Sequence, residues 1–286
     1  MKNVIEIENA VKNYGDFLLD SVSFCVPEGT VCGFIGQNGA GKSTTINLIL
    51  DIIKRDSGSI KVFGEEVTDN TAFKDKIGTV FDEMGFNETM TPLEIGRMMS
   101  YIYSEWDDTV YKDLLRKLSL PLRKKCGSFS RGMRMKLQIA VAMSHHARLL
   151  IMDEPTSGLD PVVRSEVLSL FREFVMDEEN TIFLSSHITS DLEKIADELV
   201  FINAGKIMLT GNKDEILESH GIMKCRKDQV ELIDKKYVVS VSVNRFGADV
   251  LVNDRRACEA EYSGIAVDAP TLEDILVFYV GSGEKI

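Results

Sequence analysis

The 286-residue chain lacks any apolar run long enough to cross a membrane. A spanning helix needs about 20 consecutive apolar residues, and the most apolar helix candidate, Ile46 to Ile53, is short and contains Asp51. The first residues, Met1-Lys2-Asn3-Val4-Ile5-Glu6, have no apolar segment of the kind that marks a secretory signal. Paired cysteines are missing too. Cys25, Cys32, Cys126, Cys225 and Cys258 are scattered, odd in number and without C-x-x-C spacing, which reads as buried or incidental thiols in a reducing compartment. Basic charge is in deficit: 33 Lys+Arg against 45 Asp+Glu leave a net charge of −12. Nucleic acid is therefore not expected as the main partner, because duplex phosphates demand clustered cations. A short basic run, Arg123-Lys124-Lys125, reads as a solvated loop. There is no internal repeat and no low-complexity segment. A cytoplasmic chain with an ordinary buried core, 44% hydrophobic, is the expectation.

What is present is a series of short apolar runs that each end in polar residues. Val4-Ile5-Glu6-Ile7-Glu8 alternates as a half-buried strand, Leu19 to Val26 reads as another, and Pro27-Glu28-Gly29 as a turn. Thr30 to Ile35 runs into a glycine-rich loop, Leu149 to Met152 into Asp153-Glu154, and Thr181 to Leu184 into Ser185-Ser186-His187. Buried strands separated by helix-length segments imply an α/β fold with a parallel sheet and a ligand at the strand carboxyl ends. Between Asp82 and His146 apolar residues recur at helical spacing (Leu93, Ile95, Met98, Met99, Ile102; Leu114, Leu115, Leu118), which predicts an inserted helical subdomain. The expected division is a domain over 1–210, with a core of 1–81 and 147–210 around a helical subdomain over 82–146, and a small α+β extension over 211–286. In that extension, Tyr237 to Val243 and Asp249 to Val252 flank Asn244-Arg245-Phe246-Gly247 as a β-hairpin. Thr271 and Asp274 are spaced as a capping pair for a terminal helix.

Gly36-Gln37-Asn38-Gly39-Ala40-Gly41-Lys42-Ser43, followed by Thr44, fits G-x-x-x-x-G-K-[ST] between a strand and a helix. Its glycines let backbone N–H groups wrap a phosphate chain at a helix N-terminus. Lys42 is placed to reach the β- and γ-phosphates, and the Ser43 hydroxyl to ligate Mg²⁺. The Leu149 run supplies the matching acids: Asp153 to hold Mg²⁺ through its water shell, and Glu154, expected on the other side of the strand, to polarise the attacking water. Together these features predict an enzyme that hydrolyses a nucleoside triphosphate.

Phe129-Ser130-Arg131-Gly132-Met133, just before the acidic strand, narrows the class. Here the chain resembles the ATP-binding cassette family over roughly residues 3 to 210. Phe129 to Met133 resembles its signature, usually Leu-Ser-Gly-Gly-Gln; Ser157-Gly158-Leu159-Asp160 resembles its D-loop, His187 its switch histidine and Tyr14 its adenine-stacking aromatic. The resemblance implies a P-loop NTPase with a RecA-like core, ATP and Mg²⁺ as ligands, and Glu154, His187 and Lys42 as the catalytic set. It also implies that Ser130, Gly132, Met133 and Asp160 contact nucleotide held by a second, head-to-tail subunit. Ser130 suits this role, since the helical periodicity after Arg131 puts its hydroxyl at a helix N-terminus. The permease would be a separate membrane-spanning chain, holding this one against the inner face of the cell membrane. Blander readings stay open: Tyr14 lies in a polar turn and could be an ordinary surface tyrosine, and His187 could be structural. His145 and His146, beyond the signature helix, read as structural.

Two motifs depart from the family pattern, at three positions. Arg131 replaces a signature glycine, with Met133 in place of glutamine, and Asp82 stands where the loop that couples nucleotide to permease usually has glutamine. A carboxylate there could contact Mg²⁺ or its waters, so Ser43, Asp82 and Asp153 form the expected metal set. These departures, and the tail after residue 210, resemble the bacterial drug- and peptide-exporter branch, including bacitracin-resistance ATPases. The alternatives are a soluble cassette ATPase acting on ribosomes or DNA, and a catalytically impaired regulatory subunit. One P-loop, one signature and no long insertion between Ser43 and Ser130 argue against the first. Intact Lys42, Asp153, Glu154 and His187 argue against the second. Lys42→Ala is expected to abolish ATP binding, measured by calorimetric titration; a titration curve like that of the unmodified chain would remove Lys42 from the site.

Overall fold

A computed structural model describes residues 2–68, 72–83 and 85–281. The chain divides into two compact units, with the boundary between Ile207 and Met208. The first unit opens with β1 (Asn3–Asn13), β2 (Leu18–Pro27), β3 (Val31–Ile35), α1 (Lys42–Ile49), β4 (Ser57–Val62), β5 (Glu65–Glu66) and β6 (Ile77–Val80). It continues through α2 (Pro92–Met99), α3 (Asp108–Lys117), α4 (Arg131–Met143), β7 (Leu149–Asp153), α5 (Pro161–Phe174), β8 (Thr181–Ser186), α6 (Thr189–Ile195), β9 (Glu198–Asn203) and the start of β10 (Lys206–Asn212).

Two sheets form, where sequence patterning foresees one. β1 and β2 pair antiparallel with each other, and β4 joins β1 in a separate sheet of order β2-β1-β4-β5. The larger sheet has the order β10-β9-β3-β8-β7-β6, with β3, β8, β7, β6 and β9 joined by parallel pairings. Every residue of β3 and of β8 is buried, as expected of strands covered on both faces. Between the two sheets the rings of Phe24, Phe34 and Phe183 meet at centroid distances of 5.3 to 5.8 Å. This cluster anchors a core that also takes in Ile5, Ile46, Ile60 and Ile151.

Register decides where polar groups emerge. Ile35 pairs with Ser186, and Asp153 with Ser185, so β3, β7 and β8 all end at one level. The loop after β3, the acids after β7 and His187 after β8 therefore converge on one edge.

The second unit has a four-stranded antiparallel sheet built from β11 (Gly221–Cys225), β12 (Val238–Val243), β13 (Ala248–Val252) and β14 (Ala266–Asp268), in the order β12-β13-β11-β14. The β12–β13 hairpin turns at Asn244–Gly247, where the Asn244 Oδ1 accepts from the N–H groups of Phe246 and Gly247 at 2.8 and 3.0 Å. Helices α7 (Lys213–Ser219), α8 (Arg255–Glu261) and α9 (Leu272–Val280) complete it, α9 opening on the reciprocal Thr271–Asp274 capping box. Met223, Val241, Val250, Val252 and Cys258 make its own core. Burial pushes the Cys258 thiol up to about 11, in keeping with an unreactive packing role. All five cysteines are free.

Between β6 and β7 the chain is helical, with no strand among the described residues. Thr91 and Glu94 cap α2 reciprocally, and Asp107 accepts from the Thr109 and Val110 N–H groups at the start of α3. The foreseen apolar stripe is correct for Ile95, Met99, Leu115 and Leu118, which are buried. Ile102 lies past the end of α2 and is 60% exposed. His145 is buried just after α4, stacked on Tyr103 at 3.9 Å, with its ring nitrogens 3.2 Å from the Ile77 carbonyl and 3.4 Å from that of Val141. Burial lowers its pKa, and the two carbonyls oppose that shift only partly. The folded state then binds fewer protons than the unfolded chain, whose histidine titrates near ~6.5. Stability is expected to be full above that value and to fall as pH drops below it. Thermal melts between neutral and mildly acidic pH should show this slope, and His145→Gln should flatten it; an unchanged slope would refute the assignment.

Candidate functional site

The turn from β3 into α1 is dictated by its glycines. A Cβ on Gly36 would lie 2.5 Å from the Ile202 carbonyl oxygen, so no side chain fits where the loop leaves the sheet. Gly41 caps α1 at φ 112°, a left-handed angle that favours glycine, and no side chain caps the first turn of the helix. The α1 N–H groups thus point toward a hollow of about 380 Å³. Gln37, Asn38, Gly39, Gly41, Lys42, Ser43 and Thr44 line it from the loop and helix, Asp153 from the end of β7 and Glu154 just beyond it, and Phe17 from the β1–β2 connection. Ala40 is buried, and its carbonyl accepts from the Gly205 N–H at 2.9 Å.

Lys42 is 6% exposed, and its ammonium is held on three sides. Nζ donates to the Gly36 carbonyl at 2.7 Å and the Gln37 carbonyl at 3.3 Å, and lies 3.2 Å from Glu154 Oε1. Ser43 Oγ donates to Asp153 Oδ2 at 2.6 Å, while the Ser185 hydroxyl donates to Asp153 Oδ1. Glu154 Oε2 lies 2.7 Å from His187 Nδ1. The two adjacent acids therefore face different partners, but strand alternation is not the cause. β7 stops at Asp153, and Glu154 turns into a left-handed conformation at φ 53°. Its N–H is anchored to the Ser185 carbonyl at 3.2 Å and to the Ser185 hydroxyl at 3.1 Å. A non-glycine residue held at such an angle costs of order 1–3 kcal/mol and persists only where its surroundings impose it.

Ser43 and Asp153 supply hard oxygen donors side by side, a set suited to Mg²⁺ shared with phosphate oxygens. Among the described residues no group of three or more His, Cys, Asp or Glu side chains could hold a metal ion without such sharing. Asp82, expected in this set, is elsewhere: its carboxylate is ion-paired with Arg131, and it lines a second hollow with Glu83, Glu88, Phe129, Arg134 and Met135.

Tyr14 also departs from expectation. It is 50% exposed, sits under the Lys12 ammonium at 5.6 Å, and does not line the hollow. The tight turn closed by the Tyr14 N–H and the Phe17 carbonyl at 2.9 Å presents Phe17 to the hollow instead. The signal available in the sequence was a second aromatic three residues on.

Ser130 caps α4, its Oγ accepting from the Met133 N–H at 3.3 Å. Asp160 caps α5, accepting from the Val162 and Val163 N–H groups, both at 3.1 Å. Ser130, Gly132, Met133 and Asp160 do not line the phosphate-loop hollow of their own chain. A larger groove of about 560 Å³, beside α3 and α5, contains none of the motif residues. No helix among the described residues is long and apolar enough to cross a membrane.

Comparison with known proteins agrees with this geometry. The family model described as ABC transporter matches residues 19–157, from β2 to the turn after Glu154. The chain is 35% identical over 212 residues to the bacitracin transport ATP-binding protein BcrA of Bacillus licheniformis, covering 73% of this chain and 69% of that one. It is 34% identical over 214 residues to the lantibiotic transport ATP-binding protein SrtF of Streptococcus pyogenes, covering 74% of this chain and 92% of that one. Among solved structures, the ATP-binding subunit of an ABC transporter superposes with a TM-score of 0.67 at 28% identity, over 74% of this chain and 91% of its own. A phosphate loop, an acidic strand end and a signature helix in this order, on this sheet, and relatives matched over most of their length lead to one assignment: the chain is an ATP-binding protein of the ABC transporter family.

Proposed function

We propose that this ATPase powers export of a peptide-like or drug-like compound through a separate membrane-spanning chain, working as one of two cassettes arranged head to tail. The observation that carries the dimeric reading is the separation of motifs. Gln37, Asn38, Gly39, Gly41 to Thr44, Asp153 and Glu154 share one hollow, while Ser130, Gly132 and Met133 stand outside it. A γ-phosphate in that hollow would meet the signature only if a second chain supplied it. The exporter reading is supported by the relatives that transport bacitracin and lantibiotics.

Each residue's role follows from its present contacts. Lys42, held by two loop carbonyls and Glu154, would exchange them for phosphate oxygens when ATP arrives. That exchange frees one oxygen of Glu154, while His187 keeps the other. Glu154 is then positioned to take a proton from the attacking water. Ser43 and Asp153 would hold Mg²⁺, which neutralises charge on the phosphate oxygens when bound. Phe17 offers an apolar ring to the nucleotide from the loop of Tyr14.

Glu154→Gln is expected to bind ATP normally, lose turnover by about 10²-fold or more, and accumulate as an ATP-dependent dimer in sedimentation runs. Turnover near the unmodified rate would remove Glu154 from the role of base. For the ring contact, Phe17→Ala should weaken ATP binding by about tenfold, the scale of one lost aromatic stack, and Tyr14→Ala by less. The reverse order in fluorescence titrations would return the role to Tyr14.

A further inference from the structure

Two of the three positions that depart from the family pattern, one in each motif, touch each other. Asp82, just beyond β6, and Arg131, the first residue of α4, form an ion pair. Their side chains are 55% and 48% exposed, so the pair contributes little to global stability and its value must be positional. The same face of α4 grips the preceding residue. Gln138, seven residues after Arg131 and 6% exposed, donates from Nε2 to the Phe81 carbonyl at 3.0 Å and accepts from the Phe81 N–H at 3.4 Å. Met135, between them on the stripe, lines the hollow that Asp82 and Arg131 share. Arg131 also lies over the D-loop: a Cβ on Gly158 would be 2.8 Å from its Nη1. The other charges facing this pair are Glu83 and Glu88, with Arg134 3.5 Å from Glu88.

We propose that Asp82, Arg131 and Gln138 form a clasp that fastens the loop after β6 to the signature helix, so that loop, signature and D-loop shift as one body. Asp82 is then a positioning residue for hydrolysis through Arg131, and not a ligand of the metal beside Ser43. The inference rests on the two-chain site described above, because the helix so held is the one that presents Ser130 and Gly132 to the second chain. Arg131 meets the Asp82 carboxylate through Nη2 and lies over Gly158 through Nη1 of the same guanidinium, a two-ended reach that a point charge does not reproduce.

Charge reversal separates the clasp from its rivals. Asp82→Asn and Arg131→Ala are each expected to lower kcat of the full-length chain by about fivefold to tenfold, the scale of coupled neighbours, with the KM for ATP and the Mg²⁺ requirement within about twofold of the original. The exchanged pair, Asp82→Arg with Arg131→Asp, should recover much of the loss. In the Glu154→Gln background, either single change should raise the ATP concentration needed for dimer formation. An exchanged pair no better than the singles would overturn the clasp. So would an Asp82→Asn protein that needs about tenfold more Mg²⁺ while Arg131→Ala is silent, which would return Asp82 to the metal. If Glu154→Gln alone forms no ATP-dependent dimer, the two-chain reading falls and takes the clasp with it; if that dimer forms and both singles turn over normally, only the clasp falls.

Discussion

The site depends on the parallel pairing of β3, β8 and β7 in a register that ends all three strands together. Within that register the phosphate loop, Ser185–His187 and Asp153–Glu154 cannot avoid one another. The pairing itself is enforced by complete burial of β3 and β8 and by the Phe24, Phe34 and Phe183 cluster. A slip of one residue would exchange the faces of a strand and scatter the Asp153–Ser185 and Ile35–Ser186 levels. Hydrophobic packing far from the hollow thus places the polar groups to within hydrogen-bond distance.

The cationic and anionic groups of the hollow satisfy each other. Lys42 is nearly buried and would be costly to leave unpaired; Gly36, Gln37 and Glu154 supply its partners. Ser43 and Asp153 likewise satisfy each other. In the proposed reaction, ATP binding is an exchange of partners for Lys42.

Much of this was legible in the sequence where chemistry is local. The loop from Gly36 to Thr44, the acids at Asp153 and Glu154, the cap at Ser130 and the hairpin around Asn244 all follow from short-range patterns. The failures were long-range or fell where an element ends. β1 and β2 read correctly as strands, but alternation does not say which sheet a strand joins, and they formed a separate antiparallel one. Ile102 fitted the helical spacing, yet α2 ends at Met99. Asp82 and Arg131 were each visible as a departure, 49 residues apart, and nothing local reveals that they meet. Glu154 was placed on the correct side for an incorrect reason, since alternation stops where the strand stops.

The left-handed turn at Glu154 also limits how the protein can be improved. Glycine is the residue that would relax φ 53° at least cost, and it would delete the carboxylate that His187 holds. The substitution that most favours the backbone is therefore the one that removes the proposed base. With Glu154 as the base, stability and turnover oppose each other at this single residue, and a gain in thermal endurance is to be sought elsewhere in the sequence.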